Sequence, residues 1–211
     1  MKGLSGHDED PKAPGYTEEG AKAGKRSVIS PFSPQESPLE AVDSLMSTLY
    51  HRVSVLQPEL SEVGIGWAYR RDGVGHLVMD VATLELKFDP KLYPVVYPVN
   101  GQKEVPLDFG LGARETPNPI PGEGTVAGYP ITIQFPERKK PYDIEAKLCL
   151  GSQEIECWLS TPTAPARDDW PQPGVVALLP LQKLKPDTTY IVKLKEKTTR
   201  LEKEWSFTTK K

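Results

Sequence analysis

Proline constrains this chain more than any other residue. There are 22 prolines among 211 residues, and most lie from Pro90 onward. Proline holds φ near −65° and lacks an amide proton, so helix interiors and paired central strands reject it. A half-chain cut this often can use only short strands and shaped loops. Seven stretches read as such strands: Lys103–Phe109, Thr125–Phe135, Asp143–Leu150, Glu154–Leu159, Gly174–Leu179, Thr189–Lys195 and Lys203–Thr209. Short strands at this spacing, parted by Pro/Gly turns, point to an antiparallel sandwich. "LKPDTTYIVKL" adds a specific sign. Leu184, Pro186 and Tyr190 have the spacing of a tyrosine corner, in which the phenol bonds back to the backbone a few residues upstream.

The first third reads differently. Residues 1–36 are polar and irregular, with "SPFSPQESP" (Ser30–Pro38) as a connector. A helix follows. Ser37 suits the N-cap, Pro38 the first turn, and Glu40 completes a capping box. Leu39, Val42, Leu45, Met46 and Leu49 recur at helical spacing, which predicts one buried face. Pro58 closes the loop beyond. "EVGIGWAYRRDGVGHLVMDVAT" then reads as two strands around a turn at Arg71-Asp72-Gly73, with Trp67 in the core and His76 an ordinary strand residue. The composition shifts near Phe88–Tyr97.

Cys149 and Cys157 fall in "IEAKLCLGSQEIECWL", a hairpin turning at Gly151-Ser152-Gln153. Matching the apolar faces pairs Leu148 with Cys157 and turns Cys149 to the other side, which argues against a disulfide. The spacing is not that of a metal clip. A net charge of −3 gives no reason to expect nucleic acid as a partner, and no apolar run approaches the roughly 20 residues of a membrane span. "PERKKPYD" and "KLKEKTTRLEKE" read as solvated turns.

Two resemblances follow from these motifs. "AVDSLMSTLYHRVSVLQPELSEVGIGWAY" and, upstream, "GHDEDPKAPGYTEEGAKAGKRSVI" resemble the bacterial branch of the CAP superfamily of cysteine-rich secretory, antigen 5 and pathogenesis-related proteins. The resemblance implies a cleft in which two histidines face each other, often with two acids, and can hold a divalent metal such as zinc. His51 fits the second cleft histidine and His7 the first. The acid of the Gly-Glu-Asn motif falls on Lys25 and the helix acid on Thr48, so both expected acids are replaced; Glu9 is a candidate substitute. The family's long first helix would precede His7, so the resemblance implies a chain truncated at its N-terminus. The segment Val95–Thr209, through "YPVNGQKEVPLDF", "GYPITIQF" and the closing "LKPDTTYIVKLK…WSFTT", resembles bacterial immunoglobulin-like domains of cell-surface proteins.

The expected architecture is therefore an α+β CAP-like domain at 1–87, lacking its first helix, and an all-β immunoglobulin-like sandwich at 92–211. The resemblances imply a secreted or cell-surface protein that binds an extracellular ligand (sugar, peptide or lipid) through a cleft containing His7, His51, Glu9 and Thr48. One alternative is a metal-dependent hydrolase using His7 and His51 as ligands; a third ligand, from Glu9, Glu18 or Glu19, would favour it, because catalytic zinc usually takes three protein ligands. Another is a structural surface spacer, with His51 only capping a helix end. Ser44, Ser47 and Thr48 lie near His51, but no nucleophile-elbow pattern surrounds them. Trp205 reads as core. Trp170, in the polar loop "PARDDWPQPG", is the candidate for ligand contact, the alternative being a cover over one end of the sandwich.

Overall fold

The computed structural model describes residues 6–82, 93–109, 115–123, 127–136, 143–170 and 172–211. The expected domain junction at 88–91 and most of the basic loop at 136–143 fall outside these residues. The chain forms two compact units: residues 1–46 with 59–88, and residues 47–58 with 89–211.

The first unit contains helix α1 (Glu18–Lys25), strand β1 (Ser27–Phe32), helix α2 (Pro38–Ser47, which ends at the unit boundary) and the hairpin β2 (Gly64–Tyr69) and β3 (Gly75–Asp80). Thr17 caps α1 by accepting from the Gly20 N–H. The expected capping box starts α2: Glu40 accepts from the Ser37 N–H at 2.6 Å, and Ser37 Oγ accepts from the Glu40 N–H at 3.3 Å. The three strands form an antiparallel sheet ordered β1-β3-β2. In β3 every second residue, Gly75, Leu77 and Met79, is buried. Gly75 is required there, because a Cβ would lie 2.2 Å from the Phe32 ring packed across it.

The second unit is a sandwich. A four-stranded sheet, ordered β4-β6-β10-β9, consists of β4 (Val95–Tyr97), β6 (Ile131–Gln134), β9 (Cys157–Ser160) and β10 (Val175–Pro180). A five-stranded sheet, ordered β5-β12-β11-β7-β8, consists of β5 (Gln102–Val105), β7 (Ile144–Leu150), β8 (Gln153–Ile155), β11 (Thr189–Glu196) and β12 (Leu201–Thr209). Ile131, Ile133, Val176 and Leu178 of the first sheet meet Leu148, Val192, Leu194, Trp205 and Phe207 of the second in one core. The tyrosine corner forms: Tyr190 Oη, buried, accepts from the Lys185 N–H at 2.9 Å. The outer face of the five-stranded sheet is a ladder of opposite charges, among them Lys147–Glu154, Lys195–Glu202 and Lys197–Glu145.

Several expectations are corrected. The α+β CAP-like fold is overturned: among the described residues strand accounts for 39% and helix for 14%, in three sheets with three short helices. An α+β domain needs helices whose apolar stripes cover a sheet. Here α1 buries no residue and α2 buries only Ala41 and Leu45. Residues 1–36 are not irregular, since they contain α1 and β1. Leu39, expected on the buried helix face, is 69% exposed, and Trp67, expected in the core, is 57% exposed. The periodic helix does not run to Leu49 but breaks after Ser47, and a new helix, α3 (Tyr50–Val55), begins in the second unit. The strand expected at Glu154–Leu159 divides at Glu156, β8 joining one sheet and β9 the other. Leu148 therefore opposes Ile155, not Cys157. Both cysteines are free thiols. Among the described residues no helix is long and apolar enough to cross a membrane.

Candidate functional site

The most constrained polar cluster lies on the outer face of the four-stranded sheet. Both β6 and β10 are buried on their two faces, "ITIQ" and "VVALLP" alike. Their inner residues enter the sandwich core. The outer face is covered by α3 and nearby loops: Leu49, Tyr50 and Val53 pack with Phe109, Ile120, Ala127, Ala177 and Trp158. Burying these side chains favours docking by about 1.5–3 kcal/mol for each large one.

Two charged residues then fix α3 in place. Glu115, whose side chain has no exposed area, lies against the helix N-terminus. Its Oε2 accepts from the Leu49 N–H at 2.8 Å, and its Oε1 accepts from the N–H groups of Tyr50 at 2.9 Å and His51 at 3.0 Å. Leu49, at the N-cap, provides no capping side chain, so a carboxylate from 66 residues away meets donors that the helix cannot satisfy itself. Arg52 is fully buried. Its guanidinium lies 4.9 Å from the Tyr97 ring centre and 4.7 Å from that of Tyr129, and Nη1 donates to the Pro130 carbonyl at 2.5 Å. Burial lowers the pKa of Arg52, and the facing tyrosines and Glu115 oppose that shift. Burial also pushes the Tyr129 phenol up to about 12. Gln134 completes the anchorage, its Nε2 donating to the Val53 carbonyl at 3.0 Å.

His51 is held by the same carboxylate. Its Nδ1 is 2.7 Å from Glu115 Oε1, and because a carboxylate oxygen accepts, the ring proton belongs on Nδ1. Thr48 Oγ1 lies 3.2 Å from the same nitrogen. Nε2 is then the basic nitrogen of a ring whose side chain is 31% exposed. A buried carboxylate behind one imidazole nitrogen orients the other as a hydrogen-bond acceptor, a base or a ligand. The neighbouring Tyr50 ring leans on Trp170, with centroids 6.2 Å apart and planes at 59°, and the Trp170 side is 50% exposed. Burial raises the Tyr50 phenol to about 12, Glu115 and Asp169 adding to the shift while Arg167 opposes it. Arg167 and Asp169 form a two-pronged pair, at 2.9 and 2.8 Å, that shapes the loop before Trp170.

The other expected site residues belong to the first unit. His7 Nδ1 donates to the Gly24 carbonyl at 3.0 Å. The Glu9 carboxylate lies over Gly20 and lines an open recess of about 540 Å³ together with Asp8, Asp10 and Tyr16. Glu18 and Glu19 stand in the first turn of α1, where Glu18 pairs with Lys22 at 3.9 Å. Thus His51, Thr48 and Trp170 lie in the sandwich unit, and His7 and Glu9 in the other. Among the described residues no group of three or more His, Cys, Asp or Glu is placed to hold a metal ion. Glu115, Tyr50 and Arg52 were not singled out from the sequence. Glu115 lies in a Pro-rich stretch without periodicity, and only its long-range contact with α3 gives it a role. Comparison with known protein families, with curated proteins and with solved structures found no match.

Proposed function

We propose that this chain is a binding protein whose sandwich unit contacts a polar polymer, glycan or peptide, through the surface built by α3 and the Trp170 loop. One observation carries the reading: a half-exposed indole rests on Tyr50, next in sequence to an imidazole that a buried carboxylate holds in one orientation. Aromatic faces take the apolar side of a sugar ring or a peptide side chain, and a fixed imidazole nitrogen gives direction to a hydrogen bond. Glu115 and Arg52 make the platform rigid before any ligand arrives, which reduces the ordering cost of binding. Hydrolysis would need a second acid, a nucleophile or a complete ligand set at His51 Nε2, and the surroundings of His51 support recognition better.

The test is co-sedimentation of the full chain with insoluble peptidoglycan, cellulose and chitin, beside a peptide array read by tryptophan fluorescence. Retention on at least one of these, reduced at least tenfold in Trp170→Ala and in His51→Ala while circular dichroism is unchanged, supports the reading. Retention equal in wild type and both variants, or none on any support, refutes it.

A further inference from the structure

The hairpin of the first unit leaves an edge that a stable sheet would ordinarily protect. Strand β2 is the last strand in the order β1-β3-β2, and all six of its residues are exposed. Val63, Ile65, Trp67 and Tyr69, at 43%, 52%, 57% and 55% exposure, alternate along one face, while Gly64, Gly66 and Ala68 leave the other nearly smooth. Between Glu62 and Arg70 the strand carries no charge, proline or bulge, the usual guards of a free edge. The opposite edge, β1, is guarded by Pro31. The two edges of one small sheet thus differ, and only β2 offers an open backbone row.

The direction of that row follows from the hairpin. The Arg70 N–H donates to the Val74 carbonyl at 2.8 Å, so Arg70 turns its backbone groups toward β3. Backbone direction alternates along a strand, so Val63, Ile65, Trp67 and Tyr69 turn theirs to the open side. An antiparallel partner must then present residues of the same class.

We infer that β2 pairs with β2 of a second copy of this chain, antiparallel about a two-fold axis at Gly66, joining two three-stranded sheets into one. The stretch "EVGIGWAYR" (Glu62–Arg70) is complementary to itself in this register. Ile65 opposes Trp67 of the second copy, and Val63 opposes its Tyr69. These are the aromatic with β-branched pairs that stabilise neighbouring strands. Gly66 meets Gly66 at the axis, so the backbones approach without obstruction; nothing lies within 4 Å of a Cβ placed there. Glu62 opposes Arg70 of the second copy, once on each side of the axis. Sliding the register by two residues in one direction sets Glu62 against Asp72 of the second copy, and in the other sets it against Ala68, so charge selects the register centred on Gly66. Among the described residues Arg70 pairs with exposed Asp72, at 2.9 Å, which is a weak competitor. The interface is isologous and closes on itself, giving a dimer and not a fibre.

Sedimentation velocity of the full chain between 1 and about 100 μM tests this, with circular dichroism as the check on folding. The expected result is a wild-type dimer, with association weakened at least tenfold by Glu62→Arg alone and by Arg70→Glu alone, since each sets like charges together at both ends. Mixing those two variants restores both attractions, so a heterodimer forms where neither homodimer does. The doubly swapped Glu62→Arg, Arg70→Glu chain dimerises like wild type, and Trp67→Lys is monomeric. A wild type that stays monomeric at about 100 μM overturns the inference and leaves the edge to a different strand. So does a dimer indifferent to the single charge changes, or a mixture of the two variants that fails to associate.

Discussion

Replacing Glu115 by alanine removes the acceptor for three backbone N–H groups and for His51 Nδ1 at once. A buried donor left without a partner costs about 1–3 kcal/mol, and here three backbone donors lose theirs together. Water entering the vacated space offsets part of this, and the desolvation of the carboxylate is relieved. The expected loss for Glu115→Ala is therefore about 3–5 kcal/mol, concentrated in the second unit. Glu115→Gln keeps one acceptor oxygen but turns an NH₂ toward the Leu49 N–H, and should lose about 1–3 kcal/mol. Urea titration at 25 °C, followed by the fluorescence of buried Trp205, reads both variants. With a slope of about 2 kcal/mol per M, the alanine variant should unfold about 2 M earlier than wild type. A loss below about 1 kcal/mol for Glu115→Ala would show that α3 is held by its apolar contacts alone, and would refute the carboxylate anchor.

Two further outcomes follow from the charges and thiols. Hydrogen bonds from Arg26, aided by the Ala82 N–H, hold the Asp80 carboxyl below its ordinary range against the opposing effect of burial. A depressed carboxylate contributes stability above its unfolded pKa, near 3.9, and loses it as pH falls through the folded value. Asp80→Asn should therefore destabilise the first unit at pH 7, with the gap to wild type narrowing below about pH 4 and closing once the folded carboxyl protonates; a gap constant with pH would contradict the pairing. Burial, with nearby Glu154 adding to it, pushes the Cys157 thiol up to about 12. Only about one thiol in 10⁴ is then ionised at pH 8, so Cys157 should resist iodoacetamide in the native protein and react in urea, as mass spectrometry of the modified peptide would reveal.

What could be read along the chain was local. Ser37 and Glu40 are three residues apart, and the capping box they imply is formed. Leu184, Pro186 and Tyr190 lie within seven residues, and the corner closes as expected. The turn at Arg71-Asp72-Gly73 and the strands around it follow from glycine and alternation alone, with Gly73 at φ +84°. These features are legible because each depends on backbone geometry within a few residues. Strand bounds were not: β1 runs through Pro31, and β6 is Ile131–Gln134 where a strand over Thr125–Phe135 was expected.

Tertiary structure decided everything that depended on a distant neighbour. The apolar period from Leu39 to Leu49 promised one buried helix face, yet the helix breaks after Ser47 and Leu49 packs on the sandwich, because the outer face of β6 and β10 needs a cover and α3 supplies it. The hairpin of Cys149 and Cys157 matched its apolar faces on paper, but Glu156 lets the chain change sheets, and the register follows the two sheets instead of the hairpin. His51 could be named from its surroundings in sequence; the carboxylate that orients it could not, since Glu115 stands 64 residues away without any pattern around it. Trp67 shows the same limit from the other side: alternation places it on a sheet face, but whether that face is covered depends on what packs against it. The sequence by itself determined local features, the capping box at Ser37 and Glu40, the Tyr190 corner and the turn at Arg71-Asp72-Gly73, but not β1, β4 or the division of Glu154–Leu159 between two sheets. Which strand faces are dry, and which charge meets which helix end, was decided only when the layers came together, because burial is a property of surfaces in contact and not of any one segment.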